Sequence, residues 1–246
     1  MHYLISIMYD GSKFYGFQRL KNEITVQSTL ENALSIINKK SVTIKGAGRT
    51  DRGVHAYDQK ITFDLDINID PKHLKKALNS LVKPYIFVND AKVVEPSFHA
   101  RFNVLKKEYI YKINLGEYNP FYENYIYQPN TKINIKKMKK CAKLFIGPHN
   151  FQNFVSGSRD NYDCIIYKIS FKVKKNILEI KFIGKSFYRY MVRNLVGAML
   201  DVTSNKVSLE QINEALKNPL IKKQFTTASP RGLYLNKIYY KGVKNE

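Results

Sequence analysis

The chain has 246 residues, with 41 Lys and Arg against 20 Asp and Glu for a formal charge of +21, and it is 44% hydrophobic and 13% aromatic. That is too apolar for a disordered basic tail, and it is long enough for one large domain or two smaller ones. Two cysteines cannot frame a disulfide scaffold, Met1 to Asp10 lacks a signal-peptide pattern, and no run of about 18 apolar residues offers a membrane span. These features argue against a secreted scaffold, a membrane protein and an acidic small-molecule enzyme; a cytoplasmic protein is expected.

From the N-terminus, His2 to Tyr9 reads as a β-strand ending at the Asp10-Gly11 turn signal. Thr25 caps an amphipathic helix with Val26, Leu30, Ala33, Leu34 and Ile37 on one face. Ser41 to Ala47 reads as a strand, Gly48 to Gly53 as a loop, and Tyr57 to Asp66 as a strand. Asp70-Pro71 opens a helix, Asp at the cap and Pro in the first turn, with Leu74, Ala77, Leu78 and Leu81 on its buried side. Tyr85 to Val94 returns as a strand.

In the second half, Lys106 to Leu115 reads as a strand with Lys107, Tyr109, Tyr111 and Ile113 on one face. Ile135 to Phe145 is a helix, and Cys164 to Val173 pairs with Ile177 to Ile183 as a hairpin across Lys174-Lys175-Asn176. Phe187 to Val202 reads as a helix, Ser208 caps another through about Lys217, and Gly232 to Tyr240 closes as a strand. Hairpins mixed with helices predict an α+β fold with mainly antiparallel sheet. The expected division is into residues 1–105 and 106–246, each a small α+β half, with no short-period repeat and no low-complexity linker.

The charge points to nucleic acid as the partner, although a lysine-rich proteome would leave the same surplus. Only eight of the 41 cations are arginine, so a position that holds Arg marks a place where a planar fork is useful. Four of the eight fall in two short segments, Arg49/Arg52 and Arg189/Arg193. In Gly46-Ala47-Gly48-Arg49-Thr50-Asp51-Arg52-Gly53-Val54-His55-Ala56 the glycines suggest a tight loop, but neither a dinucleotide fingerprint nor a P-loop is present. Asp51 between two arginines is either a surface ion pair in a turn or a carboxylate held ionised to act as nucleophile or base. Arg193 lies between two apolar stripes of its helix. Its guanidinium therefore needs a carboxylate, for which Asp51 is the first choice, or another acid, or a path to solvent. Tyr109 and Tyr111 are core residues or, in so basic a chain, a stacking surface for a base. The histidines and cysteines show no metal-ligand spacing.

Tyr9-Asp10-Gly11-Ser12, the Gly46–Ala56 block, Phe98-His99-Ala100-Arg101-Phe102, Tyr109-x-Tyr111, Met191-Val192-Arg193-Asn194-x-x-Gly197 and Gly232-Leu233-Tyr234-Leu235 together resemble the tRNA pseudouridine synthase A (TruA) family. The blocks occur in family order and cover nearly the whole chain. The resemblance implies a cofactor-free isomerase of uridine in RNA, with two similar α+β halves around a basic cleft, acting as a homodimer. The implied target is uridine 38, 39 or 40 of the tRNA anticodon arm. It also implies that Asp51 is the catalytic aspartate, Arg193 its partner, and Tyr109 the aromatic that stacks on the target base. Arg49 is implied to displace the flipped nucleotide and Leu233 to lie near the pocket. His55 and Arg52, in the Asp51 block, and Arg189, two residues before Met191, are expected to contact substrate.

The chain departs from the family pattern at four places: Phe17 stands where Trp is usual, Lys107 for Arg, Asn150 for Asp and Tyr167 for Arg. None is Asp51, Tyr109 or Arg193. They keep in view the same chemistry on ribosomal RNA, while the charge alone would also permit a non-catalytic RNA-binding protein.

Overall fold

The computed structural model describes residues 1–219 and 223–241. The chain forms two compact units, one of residues 1–105 joined by the C-terminal strand from Tyr234 onward, the other of residues 106–233.

In the first unit β1 (His2–Tyr9) lies between β4 (Ile86–Val93) and β3 (His55–Asp64), antiparallel to both. The other edge of β3 is shared. The two-residue β2 (Lys45–Gly46) takes one end, and β9 (Leu233–Tyr240) runs parallel at the other, pairing His55 with Tyr234 and Ala56 with Leu235. Tyr3, Ile5 and Ile7 are fully buried, and the residues between them, His2, Leu4 and Ser6, are buried as well, as a central strand covered on both faces requires. Helix α1 (Val26–Asn38) opens with a reciprocal cap between Thr25 and Ser28. Helix α2 (Pro71–Val82) opens on Asp70, whose carboxylate accepts from the Lys72 and His73 amides, while Pro71 has no amide to satisfy. It packs on α1 and β4.

Two expectations fail here for identifiable reasons. The strand predicted over Ser41 to Ala47 shrinks to Lys45–Gly46, because α1 side chains take the backbone donors first. The Ile44 amide donates to the Glu31 carboxylate (3.1 Å) and the Val42 amide to Ser35 Oγ (3.1 Å). Leu81 is exposed instead of buried; the inward position in that turn belongs to Asn79, whose amide donates to the Val88 carbonyl and accepts from the Val88 N–H. A side-chain amide thus serves as a ladder rung on the outer edge of β4.

The second unit holds β5 (Val104–Asn114), β8 (Ile177–Gly184), β7 (Asp163–Lys174) and β6 (Gly147–Asn150), neighbours in that order and all antiparallel. The hairpin between β7 and β8 turns on two residues, not three: Lys175 (φ 47°) and Asn176 (φ 61°) are both left-handed, the requirement of a type I′ turn. Helix α3 (Ile135–Leu144) packs against α4 (Met191–Thr203), α5 (Leu209–Lys217) and β7. Helix α4 begins four residues later than Phe187. Tyr190 takes a left-handed conformation (φ 62°), which breaks the helix on its N-terminal side, yet its carbonyl still accepts from the Asn194 amide at 2.8 Å. No helix among the described residues is long and apolar enough to cross a membrane.

Candidate active site

The loop between β2 and β3 is built around Thr50, the residue before Asp51. Its carbonyl accepts from the Phe17 amide (3.1 Å), and its hydroxyl is hydrogen-bonded to the buried Tyr9 phenol (2.8 Å). Burial raises the Tyr9 pKa, so the phenol keeps its proton. Upstream, Gln59 Nε2 donates to the Gly48 carbonyl (2.8 Å) and the Ala47 amide to the Lys60 carbonyl (2.8 Å). Downstream, the Val54 amide closes a turn on the Asp51 carbonyl (3.1 Å), with Gly53 at φ 78° supplying the left-handed residue. The loop is therefore pinned on both sides of a half-buried Asp51. Tyr9 and Thr50 lie in the motif blocks, but nothing local in the sequence assigns them, or Gln59 on β3, to supporting this loop.

Two glycines bring the neighbouring backbone close. A Cβ on Gly11 would fall 2.0 Å from the Val54 carbonyl oxygen, and one on Gly16 would fall 3.0 Å from that of Thr50. Phe17 is buried with its ring edge where a Cβ on Gly46 would sit, 2.6 Å away. That departure from the family pattern thus supports the loop from beneath.

The arginines beside Asp51 are both exposed. Arg52 lies over the Tyr15 ring (4.0 Å to the centroid), and Arg49 stands at the surface. His55 is buried, with its ring stacked on Tyr234 (4.6 Å), which in turn stacks on Tyr57 (4.8 Å). The Gly11 amide donates to His55 Nδ1 (3.1 Å), which makes that nitrogen an acceptor and places the ring proton on Nε2. The 3.4 Å approach of Asp10 Oδ1 to the same nitrogen is then a close contact and not a hydrogen bond.

In the second unit Tyr109 is buried on β5, opposite Phe182, with its ring edge-on to Phe187 (5.2 Å). Tyr111, two residues along the same face, is fully buried, and its hydroxyl donates to the Ser229 carbonyl (2.8 Å). Burial raises the Tyr111 pKa well above the usual phenol value, which keeps it a donor. Arg193 is half-buried on α4. Its Nε donates to the Ala228 carbonyl (2.8 Å), and its guanidinium carbon stands 4.7 Å from the Tyr190 ring centroid. The exposed Arg189 approaches the same ring at 5.2 Å. The left-handed Tyr190 therefore carries a cation–π contact to both arginines of this block. Leu233 is buried immediately after the tight turn Pro230–Gly232, where Arg231 pairs with Glu123. Of the remaining departures, Lys107 is buried on β5, Asn150 accepts from the Gln152 amide (3.1 Å) and donates to Asp163 (3.1 Å), and Tyr167 is exposed at the β7 bulge.

A family model described as tRNA pseudouridine synthase matches residues 5–103 and 141–241, which include the Asp51 loop and the Arg193 helix, with Tyr109 between the two matched segments. The tRNA pseudouridine synthase A of Borreliella afzelii (strain PKo) is 41% identical over 241 residues, covering 96% of this chain and 98% of that protein. The enzyme of that name from Geobacillus sp. (strain WCH70) is 39% identical over 96% of each chain. That of Malacoplasma penetrans (strain HF-2) is 39% identical over 98% of this chain and 100% of its own. With both matched segments present in order and relatives this similar along their whole length, the chain belongs to the tRNA pseudouridine synthase family.

Proposed function

We propose that this chain isomerises uridine to pseudouridine in tRNA, acting on uridines 38, 39 or 40 of the anticodon arm. The observation that carries the reading is family membership across both segments, with Asp51 in a loop anchored on both sides. The reaction exchanges one bond for another: the uracil N1–C1′ bond breaks, a C5–C1′ bond forms, C5 gives up a proton and N1 gains one. No electrons leave and no atom is added, so an ionised carboxylate suffices, either attacking the sugar or taking a proton from it.

Each residue has a role in that sequence. Asp51 is the reacting carboxylate, and Arg193 pairs with it and holds it ionised. Tyr109 stacks on the target base and helps remove its C5 proton. Extruding the nucleotide costs a few kcal/mol, which Arg49 offsets by occupying the vacated position. Leu233 gives the pocket an apolar wall that helps retain the detached uracil, and Arg52 and Arg189 supply cations for the backbone. The chain acts in the reducing interior of the cell as a homodimer, a state read from the family blocks and checked by a solution mass of twice 28.7 kDa.

The test is tritium release from tRNA labelled at uridine C5. Asp51→Asn is expected to abolish release and leave tRNA binding within about twofold, since one acceptor oxygen is kept. Full activity in that variant overturns the mechanism. A pseudouridine map of RNA from a deletion strain tests the substrate: loss confined to ribosomal sites overturns the tRNA assignment.

A further inference from the structure

Helix α4 makes a second set of contacts that the chemistry above leaves unexplained. Residues 193, 194, 197 and 201 fall on one stripe of the helix, and all four meet the segment 223–229. Arg193 and Ala228 exchange two hydrogen bonds: the Ala228 amide donates to the Arg193 carbonyl (3.0 Å), and Arg193 Nε donates to the Ala228 carbonyl (2.8 Å). Asn194, buried to 1% exposure, accepts at Oδ1 from Lys223 Nζ (2.8 Å) and from Thr227 Oγ1 (2.7 Å), while its Nδ2 donates to the Phe154 carbonyl (2.9 Å). Asp201 Oδ2 accepts from both the amide (2.7 Å) and the hydroxyl (2.9 Å) of Thr226. Gly197 lets the segment come down, since a Cβ there would fall 1.9 Å from the Thr226 carbonyl oxygen.

We infer that residues 223–229 are a strap that aims the Arg193 guanidinium, and that Asn194, Asp201, Lys223 and Thr227 are positioning residues for the isomerisation. The inference rests on the role given to Arg193 above. Three observations favour aiming over simple loop packing. First, Lys223, Thr226 and Thr227 are exposed, where water would satisfy them, yet each is committed to a buried side chain of α4. Second, Lys223 Nζ is held on Asn194, the residue next to Arg193, which keeps two cations on the same part of α4. Its pKa is lowered, first by partial desolvation of the ammonium and second by Arg193, and the Asp201 charge only partly opposes this. A lysine serving only solubility would swing away. Third, the strap continues to Ser229, whose carbonyl accepts from Tyr111, two residues from Tyr109 on the same face of β5. One segment thus grips both the strand of the stacking tyrosine and the base of the arginine. With Nε fixed on Ala228, the guanidinium plane is set, and the directions of its four Nη protons follow from it.

The test uses full-length protein under single-turnover conditions on tRNA, with melting temperature and tRNA affinity measured alongside. Thr227→Val removes one hydroxyl at an exposed site and keeps the shape. The expected result is a fall in the isomerisation rate of about ten- to a hundredfold, with affinity and melting temperature nearly unchanged; Thr227→Ser restores the rate. Arg193→Lys keeps the charge but lacks the Nε–H that grips Ala228. In that background Thr227→Val should add little further loss, because the strap acts only through the arginine. If Arg193→Lys and Arg193→Met are both fully active, the role of Arg193 itself fails. If they are impaired but Thr227→Val reacts at the wild-type rate, or the two losses multiply, or the rate falls only in step with melting temperature, the strap inference is overturned.

Discussion

Gly11 and Gly197 illustrate how single atoms decide the shape of both functional segments. Each lets a backbone carbonyl approach to a distance no Cβ tolerates, 2.0 Å at Val54 and 1.9 Å at Thr226. The obstructing atoms are main-chain oxygens, which cannot rotate away as a side chain would. Gly197→Ala should therefore destabilise the protein by about 1–3 kcal/mol, as overpacking does. It should also slow the reaction more than any stability loss explains, because the displaced atom belongs to the strap. Chemical denaturation checks the first effect and single-turnover kinetics the second; an unchanged denaturation midpoint would mean that the helix and strap separate more easily than their hydrogen bonds suggest. Arg193 was recognisable as a cation trapped between apolar stripes, and its need for a partner followed. That its Nε would choose the carbonyl of Ala228, 35 positions away, had no local signal. His55 belongs to a block that suggests substrate contact, yet its ring lies in a buried stack and accepts from Gly11.

Among the elements, those that were legible carry their own start signals. Thr25, Asp70 and Ser208 each cap a helix at the predicted position, because a side-chain oxygen satisfies amides two or three residues on whatever the rest of the chain does. The elements that came out differently were decided by partners distant in sequence. The Ser41 to Ala47 strand lost its ladder to Glu31 and Ser35, and the start of α4 moved because Tyr190 took a left-handed backbone between two arginines. The β7–β8 hairpin offers a test at this scale. Lys175 sits at φ 47°, where a β-carbon is crowded, in a turn that favours Asn-Gly. Lys175→Asn with Asn176→Gly should stabilise the protein by about 0.5–1 kcal/mol. That corresponds to a rise in melting temperature of a few degrees for a chain of this size. A fall would show that the turn is held by contacts other than its own dihedral preferences.

For the molecule as a whole, the +21 charge acquires a use once the family is known. Most lysines on α2 and α3 face solvent along helices whose buried sides are largely apolar, so these cations remain available to phosphates. Binding of tRNA should weaken as salt rises, with a log–log slope of roughly 0.7–0.9 for each phosphate contacted. Because this component ignores sequence, an unrelated RNA of similar length should show a comparable slope. A flat response in a filter-binding titration would mean that the charge serves solubility alone.

The sequence by itself determined the chemistry-bearing blocks, the α+β class, the helix caps and the sign of the partner's charge. All of these arise from side-chain type, spacing and local hydrogen bonding, which act over a few residues. Only the tertiary structure decided that β9 returns to lie parallel to the start of β3, that Thr50 and Tyr9 anchor the Asp51 loop, and that a strap from 223 to 229 grips α4. Those arrangements join residues tens to nearly two hundred positions apart. Each costs chain entropy that only the assembled core and its satisfied polar groups offset, and no short stretch of sequence records that balance.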